Sequence, residues 1–350
     1  MESCVAGSMA APGVSVVVPA FNSTKTLPHT IRSILMQTYS DFELIVVDDG
    51  STDAFSEVMG PFAAQDDRVR IVHQANSGLA AARNRGLGEA RGQFVGFVDA
   101  DDLWHPDYLT ALVAALEAAP DAPFGYAYSY RIDAHNNIIP TKSWSHIPRH
   151  DFLGLLEVNS VGNGSASLFR AQAIRAVGGF DMSLGENQIQ GAEDWKLCLT
   201  LAAVADPVLV PRQLVCYRLL ETSMSQANPA RQLAAVMGVL ADIRANFPSL
   251  PEKHFLQART MMNGWLLSAF VRKREWPVIR RMLTQSYIAN PLWFRSRDLR
   301  AIHSQKILSI IQGCLPRKPL YDLLENGERP FGYMCQLDQK RRTGGLVPCV

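Results

Sequence analysis

Apolar β-branched runs alternate with helix-spaced segments four times within about the first hundred residues, and few folds accommodate that alternation. Residues 14–18 (Val-Ser-Val-Val-Val) are too continuously apolar for a half-exposed strand and read as a buried strand stopped by Pro19. Leu27, Ile31, Ile34 and Leu35 follow at helical spacing. Residues 42–47, 69–73 and 94–98 repeat the strand signal. Helices are expected after Ser51 or Thr52 as the N-cap and over residues 80–90. Strands joined through helices pair in parallel, because the crossover returns the chain to the same end of the sheet. The expected fold class is therefore α/β, with a mostly parallel central sheet. Ligands of such sheets bind outside the carboxyl ends of the strands. The polar residues gather there: Asn22, Asp48 and Asp49, Asn76 and Ser77, and Asp99 to Asp102.

The remaining chain reads as a helix over 107–118, a strand over 124–130 and a loop over 134–150. Gly162 to Gly164 read as a flexible point before an apolar stretch over 166–169, and Gly178-Gly179-Phe180-Asp181 reads as a turn. A helix over 192–203 and two short strands, 208–210 and 215–217, come next. From about residue 229 the pattern is helical and basic. The expected division is a loose tail over 1–13, a catalytic domain over 14–225 and a helical basic region over 226–350.

The chain has 350 residues and a formal net charge of +1, which conceals a split. Residues 1–238 sum to −9 and residues 239–350 to +10. No apolar run reaches the roughly 18 residues of a membrane span. The six cysteines are scattered with no C-x-x-C pair, so zinc-ribbon and dithiol chemistry is not expected, and a reduced cytoplasmic compartment is. The turn after the first strand, Pro19-Ala20-Phe21-Asn22-Ser23, has no glycine, which excludes the dinucleotide fingerprint; a P-loop is absent as well.

Three carboxylates in four residues, Asp99-Ala100-Asp101-Asp102, repel one another unless a positive group sits among them. A hard divalent cation with oxygen ligands, Mg²⁺ or Mn²⁺ bridging to phosphate, resolves that repulsion. Side-chain alternation along a strand would aim Asp99 and Asp101 the same way. A solvated acidic turn with Asp102 capping a helix is the competing reading. His105, close behind, reads as a packed histidine, and Trp104 and Tyr108 as sheet-packing residues.

Four segments in order carry a resemblance: Val16 to Asn22, Val46 to Asp53, Asn76 to Asn84, and Phe97 to Asp102. Together they resemble the family-2 glycosyltransferases, which have the GT-A fold and invert the sugar's configuration; the likeness extends over about 14–225. It implies a nucleotide-activated sugar donor, UDP-linked foremost, at the strand ends. It also implies that main chain at Pro19 and Phe21 lines the base pocket. Asp49 would accept a hydrogen bond from the base with Asp48 beside it, while Arg83 would lie near base or diphosphate. Asp99 would hold the ribose, and Asp101 a Mn²⁺ or Mg²⁺ on the diphosphate. For Asp48, a turn carboxylate bonding backbone amides stands as an equal reading.

Transfer with inversion needs a carboxylate to take the acceptor hydroxyl's proton. Glu193-Asp194 opens a helix and resembles the family's E-D motif, which makes Asp194 the base and Glu193 its neighbour. Without the resemblance the pair would pass for ordinary first-turn acids. Gly178 to Asp181 would shape the acceptor pocket, with Trp195 in the core or pocket wall. Arg218, ahead of Ser223-Met224-Ser225, would offset phosphate charge in the family's closing segment; a surface ion pair is the other reading.

The resemblance implies an acceptor hydroxyl on a sugar, a lipid-linked molecule or another group, in cell-surface polysaccharide or glycolipid synthesis. The basic stretch 272–315, with helix-spaced Leu299, Ile302, Ile307, Ile310 and Ile311, has two readings: a peripheral contact with the inner face of the membrane, or a helical extension packed on the catalytic domain. Nucleic acid is not an expected partner, because no binding motif is present. The alternatives to an enzyme are a non-catalytic nucleotide-sugar scaffold and a membrane-surface adaptor.

Overall fold

The computed structural model describes residues 11–139, 149–183, 191–220 and 227–289. The chain divides into two compact units. One comprises Met1–Ser129, Gly164–Phe180 and Pro207–Tyr217; the other comprises Tyr130–Asn163, Asp181–Asp206 and Arg218–Val350.

In the first unit, β1 (Val14–Ala20), β2 (Phe42–Asp49), β3 (Val69–Gln74) and β4 (Phe94–Phe97) pair in parallel, with β1 between β2 and β4. Every residue of β1 and β2 is buried, the pattern of a sheet covered on both faces. Helices α1 (Leu27–Leu35), α2 (Phe55–Gln65) and α3 (Leu79–Glu89) make the crossovers. α3 packs so closely on β1 that a Cβ on Gly86 would stand 2.2 Å from Val17 Cγ1.

Beyond β4 the sheet turns antiparallel. β8 (Ser167–Arg170) pairs with β4 and with β6 (Phe124–Ile132), and the order β3-β2-β1-β4-β8-β6-β9-β5 ends in β9 (Val208–Arg218) and β5 (Leu103–Trp104). The sheet is thus mixed, with its parallel part where the alternation predicts it. The short strand β5 has no sequence signal of its own. α4 (Tyr108–Ala118) follows it, and Trp104 stacks on Tyr108 with ring centroids 4.0 Å apart.

Several local expectations are corrected. Pro19 does not stop β1 but continues it opposite Val47, and residues 208–217 form one strand through Pro211; proline's fixed φ tolerates extended backbone. Neither Ser51 nor Thr52 caps α2, which starts behind Ala54 without a side-chain cap. Both are drawn instead onto Asn22: its backbone N–H donates to Ser51 Oγ at 3.1 Å, and its Oδ1 accepts from Thr52 N at 2.8 Å.

In the second unit, the end of β6 pairs with β7 (Ile138–Ile139). The helices are α5 (Phe152–Val158), α7 (Glu193–Ala202), α8 (Pro229–Asn246), α9 (Glu252–Arg272) and α10 (Trp276–Ala289); α6 (Ala171–Ala176) belongs to the first unit. Asp151 caps α5 by accepting from Gly154 N at 2.9 Å, and Asn228 caps α8 from Arg231 N at 3.0 Å. α9 and α10 close on Leu266, Leu267, Phe270, Ile279 and Met282. No helix among the described residues is long and apolar enough to cross a membrane. The expected boundary near 225, the closing segment 223–225 and the helix-spaced residues 299–315 lie outside the described residues.

Glu43 is buried at the start of β2, the opposite end from the paired aspartates. Ser15 Oγ donates to it at 2.7 Å, Arg91 Nη2 at 2.8 Å and Arg70 Nη1 at 3.2 Å. Burial pushes its pKa up, but the hydrogen bonds from Arg91 and Ser15 outweigh that and hold it below the ordinary value. A carboxyl depressed in the folded state contributes stability above its unfolded pKa, about 4.3, and loses it on acidification. Glu43→Gln should therefore be less stable than the parent at pH 7, and the difference should shrink toward pH 3. Urea unfolding at the two pH values reads this; a difference that does not change with pH contradicts it.

Candidate active site

The carboxyl ends of β1, β2 and β4 lie side by side, and the loops leaving them are tied together. Asn22, at φ 49°, takes the left-handed conformation that asparagine tolerates, and through it the β1 loop is bonded to the β2 loop. Thr24 N adds a bond to Asp53 Oδ2 at 3.1 Å. Gly50, at φ 72°, has no room for a side chain: a Cβ would lie 2.8 Å from Asn76 N, which fixes the β2 loop against the β3 loop. Pro19 is buried, and Phe21 stands 50% exposed at the rim.

Asp49 is buried and organises the β3 loop. Its Oδ1 accepts from Gln74 Nε2 at 2.7 Å and Ser77 N at 2.8 Å, and its Oδ2 from Gly78 N at 2.9 Å. Three of the roughly four lone-pair positions of the carboxylate are thereby used inside the chain. Asp48 Oδ1 accepts from Ser51 N at 2.9 Å, and its Oδ2 lies 3.0 Å from His73 Nδ1. Burial pushes its pKa up, but these hydrogen bonds prevail and lower it. Asp48 thus bonds one backbone amide of its own turn and the His73 ring.

After Phe97 the chain leaves the strand and turns, with Asp102 N donating to Asp99 O at 3.0 Å. The alternation expected of Asp99 and Asp101 therefore does not apply, because they stand on a turn and not on a strand. Asp99 Oδ1 accepts from Arg83 Nη2 at 2.6 Å; Arg83 is 2% exposed and lies over the Phe180 ring, with Cζ 5.2 Å from its centroid. Asp102 is fully buried. It does not cap α4; its Oδ2 accepts from Ser165 Oγ at 2.5 Å, and Ser165 Oγ accepts from Asp99 N at 3.0 Å. Ser165 thus clasps both ends of the acidic turn, while its carbonyl accepts from Trp104 Nε1 at 2.8 Å. Asp101 sits half-buried at the corner between them. His105 is packed, as the sequence suggests, with Nδ1 accepting from Asp107 N at 3.1 Å.

The segment 83–84 and the glycine turn meet as well. Asn84 Nδ2 donates to Phe180 O and its Oδ1 accepts from Phe180 N, both at 2.8 Å. Gly179, at φ 79°, would collide with Asn84 through any Cβ, at 2.5 Å.

The second unit carries Glu193, Asp194 and Arg218. Glu193, 5% exposed, accepts from Gly191 N at 3.0 Å; Asp194 Oδ1 accepts from Trp195 N at 2.7 Å. Trp195 is a core residue, donating to Leu155 O at 2.9 Å. Arg218 is not on the surface but 2% exposed, donating to Asp133 O at 3.0 Å. Sequence reasoning missed Ser165, one small residue among several with no spacing to mark it.

Among the described residues, no three His, Cys, Asp or Glu side chains are grouped to hold a metal ion by themselves. The all-oxygen chemistry of Asp101 fits a hard cation that takes its remaining ligands from phosphate and water.

Residues 15–178 match the sequence model described as Glycosyl transferase family 2. The chain is 42% identical over 119 residues to glycosyltransferase GlyG of Streptococcus pneumoniae, covering 33% of this chain and 40% of GlyG. It spans less than half the length of the curated relatives it matches first. S. aureus TarS 1–349, in complex with UDP-GlcNAc, has a similar structure (TM-score 0.54, 16% identity, 96% of this chain and 93% of that one). So has mannosyltransferase PcManGT of Pyrobaculum calidifontis, in complex with GDP-Man and Mn²⁺ (TM-score 0.53, 19% identity, 88% of each chain). At these identities the likeness establishes the fold, which is GT-A.

Asp49→Asn should turn one N–H acceptor into a donor facing the β3 loop. A loss of roughly 1–3 kcal/mol in urea unfolding is expected for such a mispaired buried group. Parent-like stability would contradict the bonding described for Asp49.

Proposed function

We propose that the protein is an inverting glycosyltransferase that moves a sugar from a nucleotide-diphospho-sugar, UDP-linked foremost, to an acceptor hydroxyl. The observation that carries this is the clasped acidic turn, with Arg83 on Asp99 and Asp101 at its corner, at the carboxyl ends of parallel strands in a family-2 segment. The relatives with related structures are in complex with UDP-GlcNAc in one case and GDP-Man with Mn²⁺ in the other, which supports a sugar nucleotide as donor here.

In this reading, main chain at Pro19 and Phe21 borders the base. Asp49, with Asp48, shapes the base pocket chiefly by fixing the loops around it, with one lone pair left for the base. Asp99, held by Arg83, takes the ribose. Asp101 holds Mn²⁺ or Mg²⁺, which when bound neutralises the diphosphate leaving group. Arg218 adds positive charge for the phosphates, and Asp194, beside Glu193, takes the proton from the acceptor hydroxyl. The catalytic domain covers 14–225 and the helical basic region 226–350. The acceptor is a sugar or lipid-linked hydroxyl of a cell-surface polymer or glycolipid, reached from the cytoplasm. Contact of 272–315 with the inner membrane face rests on the sequence pattern alone.

Asp194→Asn should leave binding of UDP with Mn²⁺ nearly intact while lowering turnover at least about 100-fold, the scale of a lost general base. Hydrolysis of a panel of UDP- and GDP-sugars with Mn²⁺, water standing in for the acceptor, measures it. Unchanged turnover would overturn the assignment.

A further inference from the structure

The loop that delivers Glu193 and Asp194 is strained. Ala192 stands at φ 90°, where an L-residue persists only if its surroundings hold it. Gly191, at φ 97°, lies against α8, and a Cβ there would come within 2.2 Å of Gln232 Oε1. Glu193 closes the loop by accepting from Gly191 N at 3.0 Å.

One turn further along α7 is Lys196, which the sequence reading did not single out. Its ammonium, 18% exposed as a side chain, bonds Asp181, the residue after the Gly178-Gly179-Phe180 turn, and also Asp242 on α8 at 2.8 Å. Asp181 is in turn fixed by Ser183 N donating to Oδ1 at 2.8 Å. Burial works against the charged lysine, but the hydrogen bonds to the two carboxylates outweigh it and keep its pKa above the ordinary value. One cation thus ties three segments of the second unit together: the end of the glycine turn, the helix that opens with the acid pair, and α8.

We propose that Lys196, held between Asp181 and Asp242, is a positioning residue that sets the strained Ala192 loop and with it the placement of Asp194. α8 is then part of the device that orients the acid pair and not merely a neighbouring helix. The inference rests on the reading of Asp194 as the base. A misplacement of about 1 Å in a reacting group is enough to cost on the order of 100-fold in rate.

Three variants test it in the sugar-nucleotide hydrolysis assay, alongside Asp194→Asn. Lys196→Met and Asp242→Asn should each lower kcat about 10- to 100-fold, with KM for the donor and binding of UDP with Mn²⁺ within about twofold of the parent. Lys196→Arg, which keeps both ion pairs, should restore most of the rate. Hydrogen exchange of the peptide over 191–196 should quicken in Lys196→Met and Asp242→Asn and stay slow in Lys196→Arg. Asp242 is on the surface side of α8, so its variant separates positioning from folding should Lys196→Met fail to fold. Parent-like kcat in Asp242→Asn, with Asp194→Asn inactive, overturns the positioning role alone. Parent-like turnover in Asp194→Asn overturns the base assignment and this inference together. Equal loss of UDP binding and turnover in Asp242→Asn also overturns it, because a positioning residue for the base has no reason to weaken the donor.

Discussion

Five carboxylates crowd the ends of two strands that flank β1, and the need to discharge their mutual repulsion organises the first unit's strand-end loops. Each carboxylate is matched differently. Asp49 takes the side chain of Gln74 and two backbone amides; Asp48 takes Ser51 and His73; Asp99 takes a buried guanidinium; Asp102 takes a buried hydroxyl. Apart from Ser51, which belongs to the turn of Asp48 itself, these partners come from other segments of the chain, so satisfying the charges also ties those segments together. Asp101 stands half-buried at the corner of the same turn.

Much of this was legible in the sequence, because periodicity encodes burial and burial encodes the parallel core. The runs at 14–18, 42–47, 69–73 and 94–98 all became strands, and the polar residues at their ends do gather. What was not legible depends on contacts far apart in sequence. β5 exists only because Leu103 and Trp104 find β9 more than a hundred residues later. Ser165 acquires its role from a turn sixty-odd residues before it. Ser51 and Thr52 have the chemistry of caps, but Asn22 competes for them, and no local rule foresees that. The three bonds of Asp49 leave one lone pair for the proposed base contact and add a structural duty that the motif did not disclose.

The formal charge of +1 likewise conceals its own logic. The acidic part holds the carboxylates of the strand-end loops, and Arg83, which pairs with Asp99, is 2% exposed. A buried cation such as Arg83 serves one specific anion, whereas the positive excess of residues 239–350 is a property of the sequence as a whole. α8 contributes to the second unit through Asp242, which pairs with Lys196, and Gln232, which lies against Gly191.

The most direct measurement is a crystal structure of the protein soaked with UDP and Mn²⁺, with anomalous diffraction locating the metal. The expected result is a Mn²⁺ peak shared between the Asp101 carboxylate and the diphosphate, the uracil beside Pro19 and Phe21, and the ribose on Asp99. Nucleotide bound away from the carboxyl ends of β1, β2 and β4, or Mn²⁺ on the diphosphate without Asp101, would contradict it.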